Sequence, residues 1–127
     1  EEITMNKRIA ALSIVAAAVL AVPMSASSAL ADQMGTFSGV SNHWVNGGVK
    51  VSTAGGKTTI TLKSNFKSQS GPDLYIYVGN GSPTKRIAKL KKFKGSQTYS
   101  YTGTAPISSV HVYCKRYTVG FGVAKLN

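Results

Sequence analysis

From Met34 to the end of the chain, apolar residues recur at every second position in short runs closed off by glycine, proline or asparagine. A period of two puts one face of each run in a core and the other in solvent, which makes strands and not helices. The runs are 35–40, 48–52, 58–63, 74–78, 86–92, 95–101, 110–114 and 118–126. Ala54-Gly55-Gly56 and Asn80-Gly81 have the composition of hairpin turns, because their residues tolerate positive φ. Ser41 to Trp44 reads as a turn, Ser64 to Ser70 as irregular and Thr102 to Ser108 as a loop. In the run from Leu74 to Val78 the aliphatics take one face and the tyrosines the other. Roughly eight or nine short strands without helical periodicity predict an all-β fold. A small antiparallel β-sandwich is expected, with a small closed β-barrel as the alternative.

The residues before Met34 follow another rule. Met5-Asn6-Lys7-Arg8 is basic, Ile9 to Met24 is almost wholly apolar, and Ser25 to Ala31 is small and polar, ending Ala29-Leu30-Ala31. This order is that of a secretory signal peptide, with cleavage expected near Ala31. The apolar run is short for a membrane span and holds Pro23, and no transmembrane segment is expected in the mature chain. No cysteine stands near the cleavage point, so a lipoprotein signal is not expected. Residues 1–4 read as a misassigned start or a cloning remnant, residues 5–31 as the signal, and residues 32–127 as one domain. The expected location is outside the cell or in its wall.

Charge narrows the partners. The chain carries 15 Lys and Arg against 4 Asp and Glu, a net charge of +11. Lys7, Arg8, Glu1 and Glu2 cancel one another, so the domain keeps the whole excess, with Asp32 and Asp73 as its acids. Such a field attracts anionic partners. Lys85, Arg86, Lys89, Lys91, Lys92 and Lys94 form a dense basic segment. It suits an anionic cell-wall polymer, a membrane surface or the acidic face of a redox partner protein. The same lysines would also keep an edge strand from pairing with another chain. Nucleic acid is disfavoured, since only Phe93 interleaves the bases as a stacking platform. Asp73 is expected as a turn cap or as the ion-pair partner of a lysine.

Cys114 is the sole cysteine and cannot close a disulfide within the chain. Alternation puts it with Val110 and Val112 on the apolar face of its strand. It is a packing residue, a redox or metal-binding thiol, or a link to a second chain, and the neighbouring Lys115 and Arg116 would favour a thiolate. His43 and His111 would complete three ligands for a metal or haem iron. His111, however, lies three residues from Cys114 on one strand, faces the other side, and is expected as an exposed histidine. His43 lies in a turn and is the better partner for Cys114. No Cys-x-x-Cys-His occurs, which excludes covalent haem, so the cofactor stays open between a haem, a metal and a bare thiol. Gly-x-Ser-x-Gly and phosphate-binding glycine loops are absent too, and two acids with one at the frayed start do not make a catalytic pair. The balance leans away from an enzyme.

The order of several short elements resembles the DM-thirteen domain family. Phe37-Ser38-Gly39, His43 and Gly47-Gly48-Val49 are similar to its opening. Asn65-Phe66 leading into Gly71-Pro72-Asp73-Leu74, then Leu90-Lys91 with Gly95 to Tyr99, continue it, and Cys114 with Tyr117-Thr118-Val119-Gly120-Phe121 completes it. The resemblance runs over about residues 34 to 126. It implies an extracellular domain, often found beside cytochrome-like modules, with a proposed electron-transfer or redox role through the hallmark cysteine. Many relatives carry Trp-Cys where this chain has Tyr113-Cys114, which keeps the aromatic. The alternative is a non-catalytic basic module that binds a surface or cell wall, with Cys114 structural.

Overall fold

The computed structural model describes residues 30–127, and nearly all of the expected signal peptide lies outside the described residues. Ten strands follow: β1 (Gln33–Gly39), β2 (Val45–Asn46), β3 (Gly48–Ala54), β4 (Lys57–Leu62), β5 (Lys67–Ser68), β6 (Leu74–Gly79), β7 (Lys85–Lys89), β8 (Gln97–Thr102), β9 (Ser109–Cys114) and β10 (Val119–Lys125). The alternating runs thus become strands as expected, and the pairs β3–β4, β6–β7 and β9–β10 are antiparallel hairpins. Eight strands form one sheet in the order β7-β6-β9-β10-β1-β3-β4-β8, and β2 pairs with β5.

β1 is shared between the two halves of this sheet. Its first residues, Gln33 to Thr36, pair with β3, and Phe37 to Gly39 pair with β10. The sheet bends there, and its two free edges, β7 and β8, come to lie beside each other. The connection between them crosses the gap on side chains: Tyr99 Oη accepts from Lys91 N at 2.9 Å, and Gln97 Nε2 donates to Lys92 O at 2.9 Å. The object is therefore all-β and nearly closed, and both the sandwich and the barrel describe it.

The inward positions of every long strand make one core. Val49, Ile60, Leu62, Ile76, Val110 and Val112 are fully buried, and Phe66 meets Phe37 edge-on at 5.5 Å between ring centroids. Three details depart from the sequence reading. β5 lies in the segment read as irregular, and β2 directly follows the Ser41 to Trp44 turn where no strand is expected, because two-residue strands carry no period. The return strand β7 stops at Lys89 and not Lys92, since Leu90 turns its side chain into the core and its N–H bonds to Leu74 O. The Asn80-Gly81 turn does join a hairpin, with Gly81 at φ 109°, but Ser82, Pro83 and Thr84 lengthen it.

Gly47 fixes how the β2–β5 corner meets the core. Its φ of 102° is left-handed, and a Cβ there would overlap the backbone of Asn65 and Phe66. Its carbonyl accepts from Phe37 N at 2.9 Å, so the residue is clamped on both sides.

Candidate functional site

Cys114 is the last residue of β9, with Leu74 of β6 and Val119 of β10 as its Cα partners. The strand is central, and the thiol is fully buried and free. It shares the inward face with Val110 and Val112, as period two requires. Directly after it the chain turns: Lys115 N donates to Asp73 O, and Thr118 takes a φ of 51°. Lys115 and Arg116 are exposed, so the cations next to Cys114 in sequence stand outside while the sulfur stays inside.

The end of the barrel above Cys114 is closed by Phe121. The β9–β10 register slips between Gly120 and Gly122, which leaves Phe121 as the extra residue of a bulge. Its ring edge comes within 3.0 Å of where a Cβ on Gly71 would sit, beside the Leu74 side chain. His43 stacks flat on the ring, 3.8 Å between centroids and 8° between planes. The turn before it is tied down by Val40 N donating to Phe121 O and His43 N donating to Val40 O. Gly122 permits the closure, because a Cβ there would fall 2.5 Å from Val45 Cβ. His43, Phe121, Leu74 and Cys114 thus belong to one end of the fold. His43 Nδ1 is buried there and has no hydrogen-bond partner among the described residues.

His111 does face away from Cys114, as its spacing predicts, yet it is not exposed. It is only 6% accessible, and its Nε2 shares a 2.8 Å hydrogen bond with Ser109 Oγ. Its strand lies between β6 and β10, which place Tyr77 and Val123 on either side of it. Burial lowers the imidazole pKa below 6.5. The unfolded chain takes up a proton near pH 6.5 and the folded chain only below that. Stability is therefore complete above pH 6.5 and falls as pH drops through 6.5 toward the lowered value. With so few acids in the domain, this histidine is expected to govern the slope of melting temperature between pH 7.5 and 5. His111→Gln should flatten that slope, and thermal melts at both pH values check it.

The two histidines and the cysteine do not converge. No cluster of three or more His, Cys, Asp or Glu that could hold a metal ion exists among the described residues. The donor set therefore does not fit a metal held by this domain alone. Of the three, His43 alone keeps a buried ring nitrogen without a hydrogen-bond partner among the described residues.

The six-base segment is split by the fold. Lys85, Arg86 and Lys89 lie on β7, whereas Lys91, Lys92 and Lys94 lie in the connection to β8. Lys89 Nζ faces Asp73 Oδ1 at 3.8 Å, which makes Asp73 the ion-pair partner expected of it. Arg86 lies 5.5 Å from the Tyr75 ring, and Lys85 5.0 Å from Tyr101 across the gap between the sheet edges. Lys91 Nζ donates to Thr98 O at 2.7 Å. Part of the segment thus binds the two edges together. Sequence reasoning missed Lys67 and Trp44, whose cation–ring distance is 5.9 Å, since Ser64 to Ser70 showed no pattern. Among the described residues no helix is long and apolar enough to cross a membrane.

A family model described as Electron transfer DM13 matches residues 36–126. No curated protein and no solved structure matches the chain.

Proposed function

Because the chain belongs to the electron transfer DM13 family, we propose that it works as a secreted electron-transfer domain whose redox role centres on Cys114. The observation that carries this reading is the unbonded His43 Nδ1, buried at the same end of the fold as the free thiol. A buried imidazole nitrogen without a partner is costly, and a proton or ligand exchanged at that end would satisfy it. Full burial keeps bulky thiols away from the sulfur, so exchange with a second protein's disulfide is disfavoured. A basic face of β7 and the following connection, from Lys85 to Lys94, would hold an anionic redox partner.

The complete burial of Cys114 also favours a second reading, in which the thiol only packs and the basic face binds an anionic surface. The absorption spectrum and metal content of protein purified anaerobically from its source separate the two. The first reading expects a band or a stoichiometric metal shared with a partner, lost in Cys114→Ala while the variant still folds. A colourless, metal-free protein whose thiol resists alkylation until denaturant is added would sink the cysteine-centred role and leave the second reading.

A further inference from the structure

Lys67 of β5 stands directly opposite Lys94 in an isolated antiparallel bridge. Like charges placed face to face across a ladder oppose folding. Neither acid of the domain relieves them: Asp32 accepts from Ser52 Oγ, and Asp73 faces Lys89. Both lysines line an open cleft of about 430 Å³ with Ser64, Asn65, Phe66 and Gly95. Neither lysine thus has an acidic side chain beside it among the described residues.

Apolar surface adjoins the same corner. Trp44, the sole tryptophan of the chain, is 43% exposed, and Phe93 is 44% exposed. Neither can simply turn inward. Val45 takes the inward position of β2, and Trp44 is held by Gln69 Oε1 accepting from its N–H and by Gln69 N donating to its carbonyl. On the other flank of β5, Phe93 O accepts from Ser68 N at 2.7 Å. The two aromatics therefore flank β5, whose Lys67 is paired with Lys94 of the β7–β8 connection. A soluble polyanion would answer the lysines and leave both rings in water. A bilayer surface answers both, since tryptophan favours the headgroup level and lysines favour anionic lipid.

We propose that this corner docks on an anionic phospholipid surface, with a headgroup phosphate between Lys67 and Lys94 and Trp44 seated beside it. The proposal is independent of what Cys114 does. It is tested with the chain from Asp32 onward, which holds all ten described strands and the buried core they enclose, and with vesicles of phosphatidylglycerol and phosphatidylcholine. Because the chain has one tryptophan, its emission reports this site alone. Binding should shift Trp44 emission to the blue, weaken with salt and fade on pure phosphatidylcholine. Lys67→Gln with Lys94→Gln should lower partitioning about twentyfold. Lys94→Gln alone should also raise the melting temperature of the free domain by relieving the repulsion. Trp44→Ala, followed by sedimentation, should lower partitioning about tenfold. Lys50→Gln with Lys57→Gln removes the same charge elsewhere and should change it by no more than about twofold. Absence of binding, binding with Trp44 emission unmoved, or wild-type binding by the Lys67 and Lys94 double variant would each overturn the proposal. So would an equal blue shift with a soluble glycerol phosphate polymer.

Discussion

Gly47→Ala is expected to lower the stability of the domain by roughly 3 kcal/mol or more, from left-handed strain and overpacking together. Neither contribution can relax cheaply. The atoms that a Cβ would strike belong to the backbone of Asn65 and Phe66, not to a flexible side chain. That backbone is pinned, with Phe66 N donating to Lys63 O and Gly95 N donating to Phe66 O, both at 2.9 Å. On the other side, Gly47 O holds Phe37 N. For a domain this small the melting temperature should fall by on the order of 10–25 °C. A thermal melt of the variant checks it, and a loss under a few degrees would mean that the corner is softer than its hydrogen bonds indicate.

Phe66→Ala is the second large effect, expected at about 3–5 kcal/mol. Phe66 is the largest of the fully buried side chains, and its ring packs edge-on against Phe37. The space it leaves cannot collapse, because the same pinned backbone surrounds it and Asn65 Oδ1 accepts from Gly48 N at 2.9 Å. Denaturant unfolding should show a lower midpoint with an unchanged slope. Gly47 and Phe66 are in contact, so the two substitutions should not add. With the ring gone, the Phe66 backbone has room to yield to a Cβ at Gly47, and the double variant should lose less than the sum of the singles.

Much of this fold was legible in the chain because alternation is a local signal. Val110, Val112 and Cys114 announced their shared face, and Leu74 to Val78 announced the outward tyrosines. What alternation does not encode is which strands meet. The switch of β1 from β3 to β10 leaves no mark on Gln33 to Gly39, and β2 and β5 are too short to have a period. The bulge that swings Phe121 under His43 exists only once β9 and β10 pair. Spacing puts His111 on the face away from Cys114 but predicts exposure, because its Ser109 hydrogen bond and its flanking strands are tertiary facts. The basic segment was visible as composition, but Leu90 divides it between a strand and a connection. Lys67, the cation set against Lys94, stood in a stretch with no pattern at all.

The split pairing of β1 also sets a timetable for assembly. The hairpins β3–β4, β6–β7 and β9–β10 close over short loops and need no distant partner. The two halves become one object only when Phe37 to Gly39 find Gly122 to Ala124, the first strand meeting the last. Pairings between strands so far apart in sequence are slow to form, and this one waits on β10 to emerge. A chain delivered from its N-terminus, whether by a ribosome or through a narrow pore, therefore stays open until β10 arrives. It remains threadable up to that moment and locks within its last strand.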